Sequence, residues 1–194
     1  DGIITDSGNL TKSGAGTLVL GGSNQNDGAI SVNAGILEIS NQYSLGTDTD
    51  GTTVANGATL KITDAVTIAN EALTLNGTGV SNAGALQTTH SSGTVLLTGS
   101  TTLGSDTTIN VGNGNLRFDQ AIASGSDSYD VTFTGNGGEI RTAGGININS
   151  GSVTMSASGT LFSETANSYS GGTTISSGSL LYGANDAFGT GAIT

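Results

Sequence analysis

Short runs of alternating apolar and polar residues recur along the whole chain. The first are TLVL at 17–20, AISV at 29–32, ILEI at 36–39, TLKI at 59–62, VTIA at 66–69 and ALTL at 72–75. Successive side chains of a β-strand point to opposite faces, so each run can bury one face and expose the other. Glycine, asparagine, serine or aspartate separates nearly all of the runs. Strands of four or five residues that recur roughly every ten predict an all-β protein.

The same pattern continues to the end of the chain. The later runs are ALQT, TVLL, TTINV, NLRF, VTFT, EIRT, ININ, SVTM, TLF, TTIS and SLLY. A sandwich or closed barrel would need longer strands and enough bulky side chains to fill a core about 10 Å thick. Hydrophobic residues make up only 34% of the chain and aromatic residues only 4%, so such side chains are scarce.

A parallel β-solenoid needs only one or two inward aliphatic side chains per strand, because each coil covers the next. We therefore predict one solenoid segment over residues 1–194, a parallel β-helix with about three short strands per coil. Six or seven coils at about 4.8 Å each would give a rod about 30 Å long. Disorder is the alternative for so polar a chain, but only 10% of the residues are charged and the apolar positions are periodic.

Two segments of the chain repeat each other. Residues 16–47 align without gaps on residues 159–190, at a constant offset of 143 positions (159 − 16). The aligned pairs are Gly35 with Gly178, Leu37 with Leu180, Val32 with Ile175, Leu45 with Phe188 and Gly46 with Gly189. Internal repetition indicates stacked structural units. Glycines in these pairs are predicted to form turns, and the apolar residues to fill the core.

The second copy carries a recognisable motif. From Gly159 to Gly191 it reads G-T-L…N-x-Y-x-G-G-T-T-I-x-x-G-x-L…N-x-A-F-G-T-G. This order resembles the passenger-associated β-strand repeat of bacterial autotransporters. Tyr169, Gly171 and Gly172 belong to the motif. The first copy keeps a glycine opposite Gly171 but has Asn26 and Asp27 in place of Tyr169 and Ser170, and Ala29 in place of Gly172. The resemblance implies a right-handed parallel β-helix in an exported, surface-displayed passenger.

Charge and composition exclude several function classes. Fifteen acidic residues against four basic ones give a formal net charge of −11, which repels nucleic-acid phosphates and anionic lipids. Nucleic-acid binding is therefore not expected. Direct membrane insertion is not expected either, because no apolar run approaches the ~20 residues of a membrane span. The chain has no cysteine, and it begins without an initiator Met or a signal peptide. We expect it to be a processed or excised piece.

Candidate reactive groups are few. Asp48 and Asp50 resemble the start of a calcium loop, but the distal bidentate Glu is missing, which favours a solvated turn. Asp127 and Asp130, beside Tyr129, could cleave glycans on a solenoid face, but no second acidic cluster accompanies them. His90 and its neighbours Ser91 and Ser92 are predicted to form an exposed loop. We predict no catalytic, metal or cofactor site.

The aromatic side chains admit two interpretations, end-caps and core plugs or a carbohydrate-stacking platform, and the sequence favours end-caps and core plugs. They are Tyr43, Tyr129, Tyr169, Tyr182, Phe118, Phe133, Phe162 and Phe188. The first hypothesis for function is a rigid structural or adhesive stalk outside a bacterial cell, with itself or a host or cell-surface ligand as partner. The alternatives are a fibre assembled head to tail, and a polysaccharide-degrading β-helix enzyme.

Overall fold

The computed structural model describes residues 2–5, 7–47 and 50–194, which form a parallel β-solenoid of about eight coils. The prediction of an all-β solenoid is confirmed, but the prediction of six or seven coils is wrong. Hydrogen bonds between neighbouring coils join residues as few as 20 positions apart, so the coils are shorter than expected. A stack of about eight coils is about 38 Å long at ~4.8 Å per coil. The right-handed sense stays a prediction.

Twenty strands build the described part of the chain, and every strand pair is parallel. One 3₁₀ turn, Val80–Asn82, interrupts them. The strands are β1 Leu10–Lys12, β2 Thr17–Leu20, β3 Ile30–Val32, β4 Gly35–Ile39, β5 Thr52–Val54, β6 Ala58–Ile62, β7 Thr67–Ile68, β8 Leu73–Gly77, β9 Leu86–Thr88, β10 Thr94–Leu97, β11 Thr101–Val111, β12 Asn115–Phe118, β13 Ile122–Ala123, β14 Val131–Gly135, β15 Glu139–Thr142, β16 Ile146–Asn147, β17 Val153–Met155, β18 Thr160–Ser163, β19 Thr173–Ile175 and β20 Ser179–Tyr182.

The strands line three faces of the solenoid. Face 1 stacks β1, β3, β5, β8, the first part of β11, β13 and β16. Face 2 stacks β2, β4, β6, β9, the second part of β11, β14, β17 and β19. Face 3 stacks β7, β10, β12, β15, β18 and β20. Strand β11 serves two faces because its register shifts between Leu103 and Thr107.

The core is a set of narrow columns in which each side chain packs on its equivalent in the next coil. One column on face 2 runs through eight strands without a polar residue. Its members are Leu18, Leu37, Leu60, Leu86, Ile109, Phe133, Met155 and Ile175. Six of the eight are fully buried, which gives the solenoid a continuous apolar column.

The two repeat copies lie on different faces. In the first copy β3 lies on face 1 and β4 on face 2. In the second copy the aligned strands β19 and β20 lie on faces 2 and 3. The sequence offset therefore preserves the local order of strand, corner and strand, but not the face on which each strand stacks.

Candidate functional site

The repeat glycines form the corners between faces. Gly35 and Gly178 have φ angles of 70° and 78°, in the left-handed region where a side chain is strained. A Cβ at Gly35 would overlap the backbone of Gly14 and Gly16 in the preceding coil, and a Cβ at Gly178 would overlap that of Ala157 and Gly159. These corners therefore need glycine both for backbone conformation and for the close approach of coils.

A second pair of aligned glycines closes the turn that follows. Gly46 lies on Asn26, and Gly189 lies on Tyr169, each with a positive φ. The amide of Gly46 donates to the carbonyl of Tyr43, and that of Gly189 donates to the carbonyl of Asp186, so each bond closes a four-residue turn. The preceding Leu45 is buried and Phe188 is half-buried.

The remaining repeat residues take less uniform positions. Leu37 is fully buried, whereas Leu180 is half-buried and Ile175, aligned with buried Val32, is 37% exposed. Gly172 has a φ of 93°. At Gly171 a side chain would meet the carbonyls of Ser150 and Gly151.

Two buried asparagines that sequence reasoning missed bind three successive coils together. The side-chain oxygen of Asn167 accepts from the amide of Ile146, at 2.7 Å, and its nitrogen donates to the carbonyl of Ala187. Asn24 repeats this arrangement with the amide of Ile4, at 3.0 Å, and the carbonyl of Ser44, at 2.7 Å. The signal was present, because Asn24 and Asn167 align in the two copies.

Tyr169 is the largest fully buried side chain. Its hydroxyl lies 2.7 Å from the hydroxyl of Thr173, which donates to the carbonyl of Phe188. Burial raises the pKa of Tyr169 above its ordinary value, and the hydrogen bond to Thr173 partly opposes that shift. In the first copy the buried place is taken by Asn26, whose side-chain amide has no hydrogen-bond partner among the described residues.

The expectation that aromatic residues plug the core is confirmed for Phe118, Phe133 and Tyr169, which are all buried. Tyr43 and Tyr182 do not plug the core, since they are 51% and 73% exposed, and that either caps an end of the solenoid stays a prediction. Both belong to repeat segments, but the turn and strand that carry them place these side chains outside the core. Tyr182 packs edge-on against Phe188 at 6.1 Å between ring centroids.

The two arginines lie next to each other on the outside of face 3. Arg117 donates hydrogen bonds to Asp119 at 2.6 Å and to Glu164 at 2.9 Å. Nε of Arg141 lies 3.0 Å from Glu139 and 3.1 Å from Glu164 in ion pairs, but it makes no hydrogen bond among the described residues. The hydrogen bond to Asp119 raises the pKa of Arg117 further, with help from Glu164. Each guanidinium group is therefore paired with carboxylates on the protein surface.

The guanidinium of Arg141 also stacks over Phe162 at 4.8 Å from the ring centroid. In the register of face 3, Phe162 of β18 is paired with Arg141 of β15. The arrangement is a cross-coil brace on the surface of face 3.

Asp127 and Asp130, the candidate acidic pair, take part in hydrogen bonds between neighbouring coils. Asp130 accepts from both the amide and the hydroxyl of Ser152 in the next coil, at 2.7 and 2.9 Å, and its own amide donates to Asp106 in the preceding coil. Asp127 lies in an exposed turn whose backbone accepts from Asn149. Ser152 and Asn149 therefore tie this corner together, and the hydrogen bonds of Asp130 are those of a structural residue.

His90 lies in the loop between β9 and β10, as predicted, but it is buried, so the predicted exposure is wrong. Its ring lies against Gly114 of the next coil, where the missing side chain leaves room for the imidazole. Neither ring nitrogen has a hydrogen-bond partner among the described residues, while Ser91 and Ser92 are exposed. The structure does not bring His90 and these serines together as reactive groups.

Asp48, half of the candidate calcium loop, lies outside the described residues, and Asp50 is exposed. Within residues 2–5, 7–47 and 50–194, no three acidic or histidine side chains group closely enough to hold a metal ion. The same ranges contain no helix long and apolar enough to cross a lipid bilayer.

Comparison with known proteins agrees with the resemblance seen in the sequence. Residues 10–39 and 158–181 match the family model of the passenger-associated-transport-repeat. These segments overlap the two aligned copies, and the repeat is one that occurs in autotransporter passengers. No curated protein and no solved structure matches the chain.

Proposed function

We propose that this chain, which carries two passenger-associated-transport repeats, is a stalk segment of an autotransporter passenger at a bacterial surface. The observation that supports the proposal most is the unbroken column from Leu18 to Ile175, which makes the segment one stiff rod. A rod of about eight coils would hold a distal domain about 38 Å further from its anchor.

The distribution of polar groups supports a structural role. The side chains of Asn24, Asn167 and Asp130 form hydrogen bonds with neighbouring coils, and both arginines form ion pairs on the surface. The repeat matched by the family model is a structural one. Burial of short apolar side chains, repeated coil after coil, supplies the stability that such a rod needs.

The fold also suits export. A chain that crosses a membrane unfolded can fold coil by coil outside the cell, because each coil contacts only its neighbours. Stepwise folding of this kind requires no energy source other than the burial of the next coil.

A display experiment tests the proposal. The 194-residue chain is inserted between an epitope and the anchoring domain of an unrelated autotransporter, and the cells are treated with an added protease. We expect the epitope on the cell surface, a protease-resistant insert and an epitope-to-membrane distance longer by about 38 Å, measured by fluorescence energy transfer.

The control is the same insert carrying Leu60→Asp, which places a charge in the apolar column and should make the displayed insert protease-sensitive. An insert that stays inside the cell, or one that is displayed but digested like the control, would contradict the stalk role. Release of sugar from polysaccharides by the purified chain, lost on replacement of Asp127 and Asp130, would favour the enzyme alternative.

A further inference from the structure

A cavity of about 390 Å³ opens on the outside of the first three coils. Its walls come from the loop after β2, from the turn after β4 and from Ala69 after β7. The side chains that it offers are those of Ser23, Gln25, Gln42, Tyr43 and Thr47. The volume lies within the range of small-molecule sites and has room for a hexose ring.

Tyr43 presents an exposed aromatic ring on a hydrogen-bonded backbone in this cavity. Its side chain is 51% exposed, while its backbone is held on both sides. Its amide donates to the side chain of Asn41 at 2.9 Å, and its carbonyl accepts from the amides of Asn24 and Gly46, both at 3.0 Å. The backbone is therefore held, and a tyrosine ring has only two side-chain torsions to lose when a ligand stacks on it.

The turn itself does not require a tyrosine. At the aligned position of the second copy stands Asp186, whose carbonyl makes the same hydrogen bond to Gly189 as that of Tyr43 makes to Gly46. The structural repeat therefore forms with a small charged residue at this place. The turn therefore does not account for the ring of Tyr43.

Two glutamine side chains line the same cavity as Tyr43. Gln25 and Gln42 are exposed, and within the described ranges neither side chain makes a hydrogen bond. An amide side chain has both a hydrogen-bond donor and an acceptor, as a sugar hydroxyl has. One glutamine side chain can therefore donate to one sugar hydroxyl and accept from another. The aligned residues of the second copy, Ser168 and Asn185, are shorter.

Charge restricts the ligand class. None of the described lining residues is charged, although the chain carries a net charge of −11. An anionic ligand would meet repulsion from the protein as a whole and find no cation in the cavity. A neutral ring with an apolar C–H face for Tyr43 and hydroxyls at its rim for the amides fits the site.

We propose that the cavity around Tyr43 is a binding site for a neutral carbohydrate, in which Tyr43 stacks on one sugar ring and Gln25 and Gln42 hydrogen-bond its hydroxyls. This proposal rests on the fold and on the cavity, and not on the stalk role. A rod that failed the display experiment would still bind sugar, and a rod that passed it need not.

The test uses the full 194-residue chain and three neutral trisaccharides, which are maltotriose, cellotriose and N,N′,N″-triacetylchitotriose. Amide shifts are followed by two-dimensional NMR as each sugar is added. We expect at least one sugar to give saturable shifts in the amides of Gln25, Gln42 and Tyr43, with a Kd on the order of 1 mM, the weak end of the affinity scale.

Three variants make the result specific. Tyr43→Ala should weaken binding at least about tenfold, which corresponds to about 1.4 kcal/mol, whereas Tyr43→Phe keeps the ring and should stay within about threefold. Gln87→Ala, which removes a glutamine on the outside of face 2, should bind like the parent chain.

Four outcomes would overturn the proposal. The first is that no sugar gives shifts that saturate when its concentration reaches about tenfold the expected Kd, and the second is that the shifts map elsewhere on the rod. The third is that binding survives Tyr43→Ala. The fourth is that the anionic trisaccharide of galacturonic acid binds more tightly than the neutral sugars. Circular dichroism of each variant shows that the fold persists, which the exposed position of Tyr43 leads us to expect.

Discussion

At the scale of single residues, the interior of this rod depends on polar side chains as well as aliphatic ones. Asn24 and Asn167 are both more than nine-tenths buried, and each uses both ends of its amide to join the coil before it to the coil after it. A buried amide that is fully hydrogen-bonded stabilises one arrangement of neighbours, whereas an unpaired backbone group left in its place is costly.

Replacement of Asn167 by alanine should lower the free energy of unfolding by about 1–3 kcal/mol, because the amide of Ile146 and the carbonyl of Ala187 lose their partner. Urea denaturation measures the change. Asn113→Ala is the matched control, since Asn113 is exposed, and it should change stability by less than about 0.5 kcal/mol. Equal effects of the two substitutions would show that the Asn167 bonds do not matter.

Tyr169 predicts a loss of stability in alkaline solution. Its folded-state pKa is raised by burial above the unfolded value of about 10, so the neutral hydroxyl is favoured in the folded chain. Its contribution is fully present below about pH 10 and is lost as the pH rises through the folded-state pKa. The free energy of unfolding, measured from about pH 8 to about pH 11.5, should show this decline.

Tyr169→Phe should flatten that decline, although it also loses the bond to Thr173 and is therefore less stable at neutral pH. An unchanged pH dependence in the phenylalanine variant would rule out Tyr169 as the group responsible.

At the scale of elements, the strands are too short to be stable alone, and the column across coils gives them stability. Strand β6 has one buried and one exposed face. Leu60 points into the apolar column, while its neighbour Lys61 points outward and pairs with Glu38 at 3.0 Å. The inner side chain loses all its contact with water, whereas the ion pair stays about one quarter exposed and is screened.

Leu60→Ala should therefore destabilise the chain by about 2–5 kcal/mol, the range for a buried leucine that leaves a cavity. Lys61→Ala in the same strand should cost no more than about 1 kcal/mol. Thermal and urea unfolding of the two variants provide the comparison. A larger effect from Lys61 would mean that surface pairing, and not the column, holds the coils together.

At the scale of the whole molecule, a solenoid has no contacts between distant coils. β6 pairs with β4 and β9 only, and β17 pairs with β14 and β19 only. Stability in such a stack is close to a sum of local terms and nearest-neighbour terms. This property distinguishes a rod from a globular domain of equal length.

The Leu60→Ala variant should consequently show faster amide hydrogen exchange in β4, β6 and β9, while β17 and β19 exchange as in the parent chain. Exchange read by NMR or mass spectrometry resolves the two regions. A uniform increase along the whole chain would mean that the rod opens in one cooperative step, against the coil-by-coil folding proposed above.

Particular residues show where prediction from the sequence succeeds. The alternation in TLVL and ILEI gave β2 and β4 nearly to the residue, because period-two patterning depends only on local geometry. Strands β1 and β5 were missed, since LTK and TTV place a lysine and a threonine at inward positions. The burial of His90 was also missed, because it depends on Gly114, which is remote in sequence from His90 and adjacent only after coiling.

The sequence by itself determined the class of structure, since short alternating strands, positive-φ corner glycines and a scarcity of bulky residues are compatible with a thin stacked core. The tertiary structure alone decided which strand lies on which, and so placed the aligned repeats on different faces. Coil length varies along the chain, and pairing is set by stacking across coils rather than by any local pattern. The cavity beside Tyr43 exists for the same reason, because three successive coils have to meet before its walls are complete.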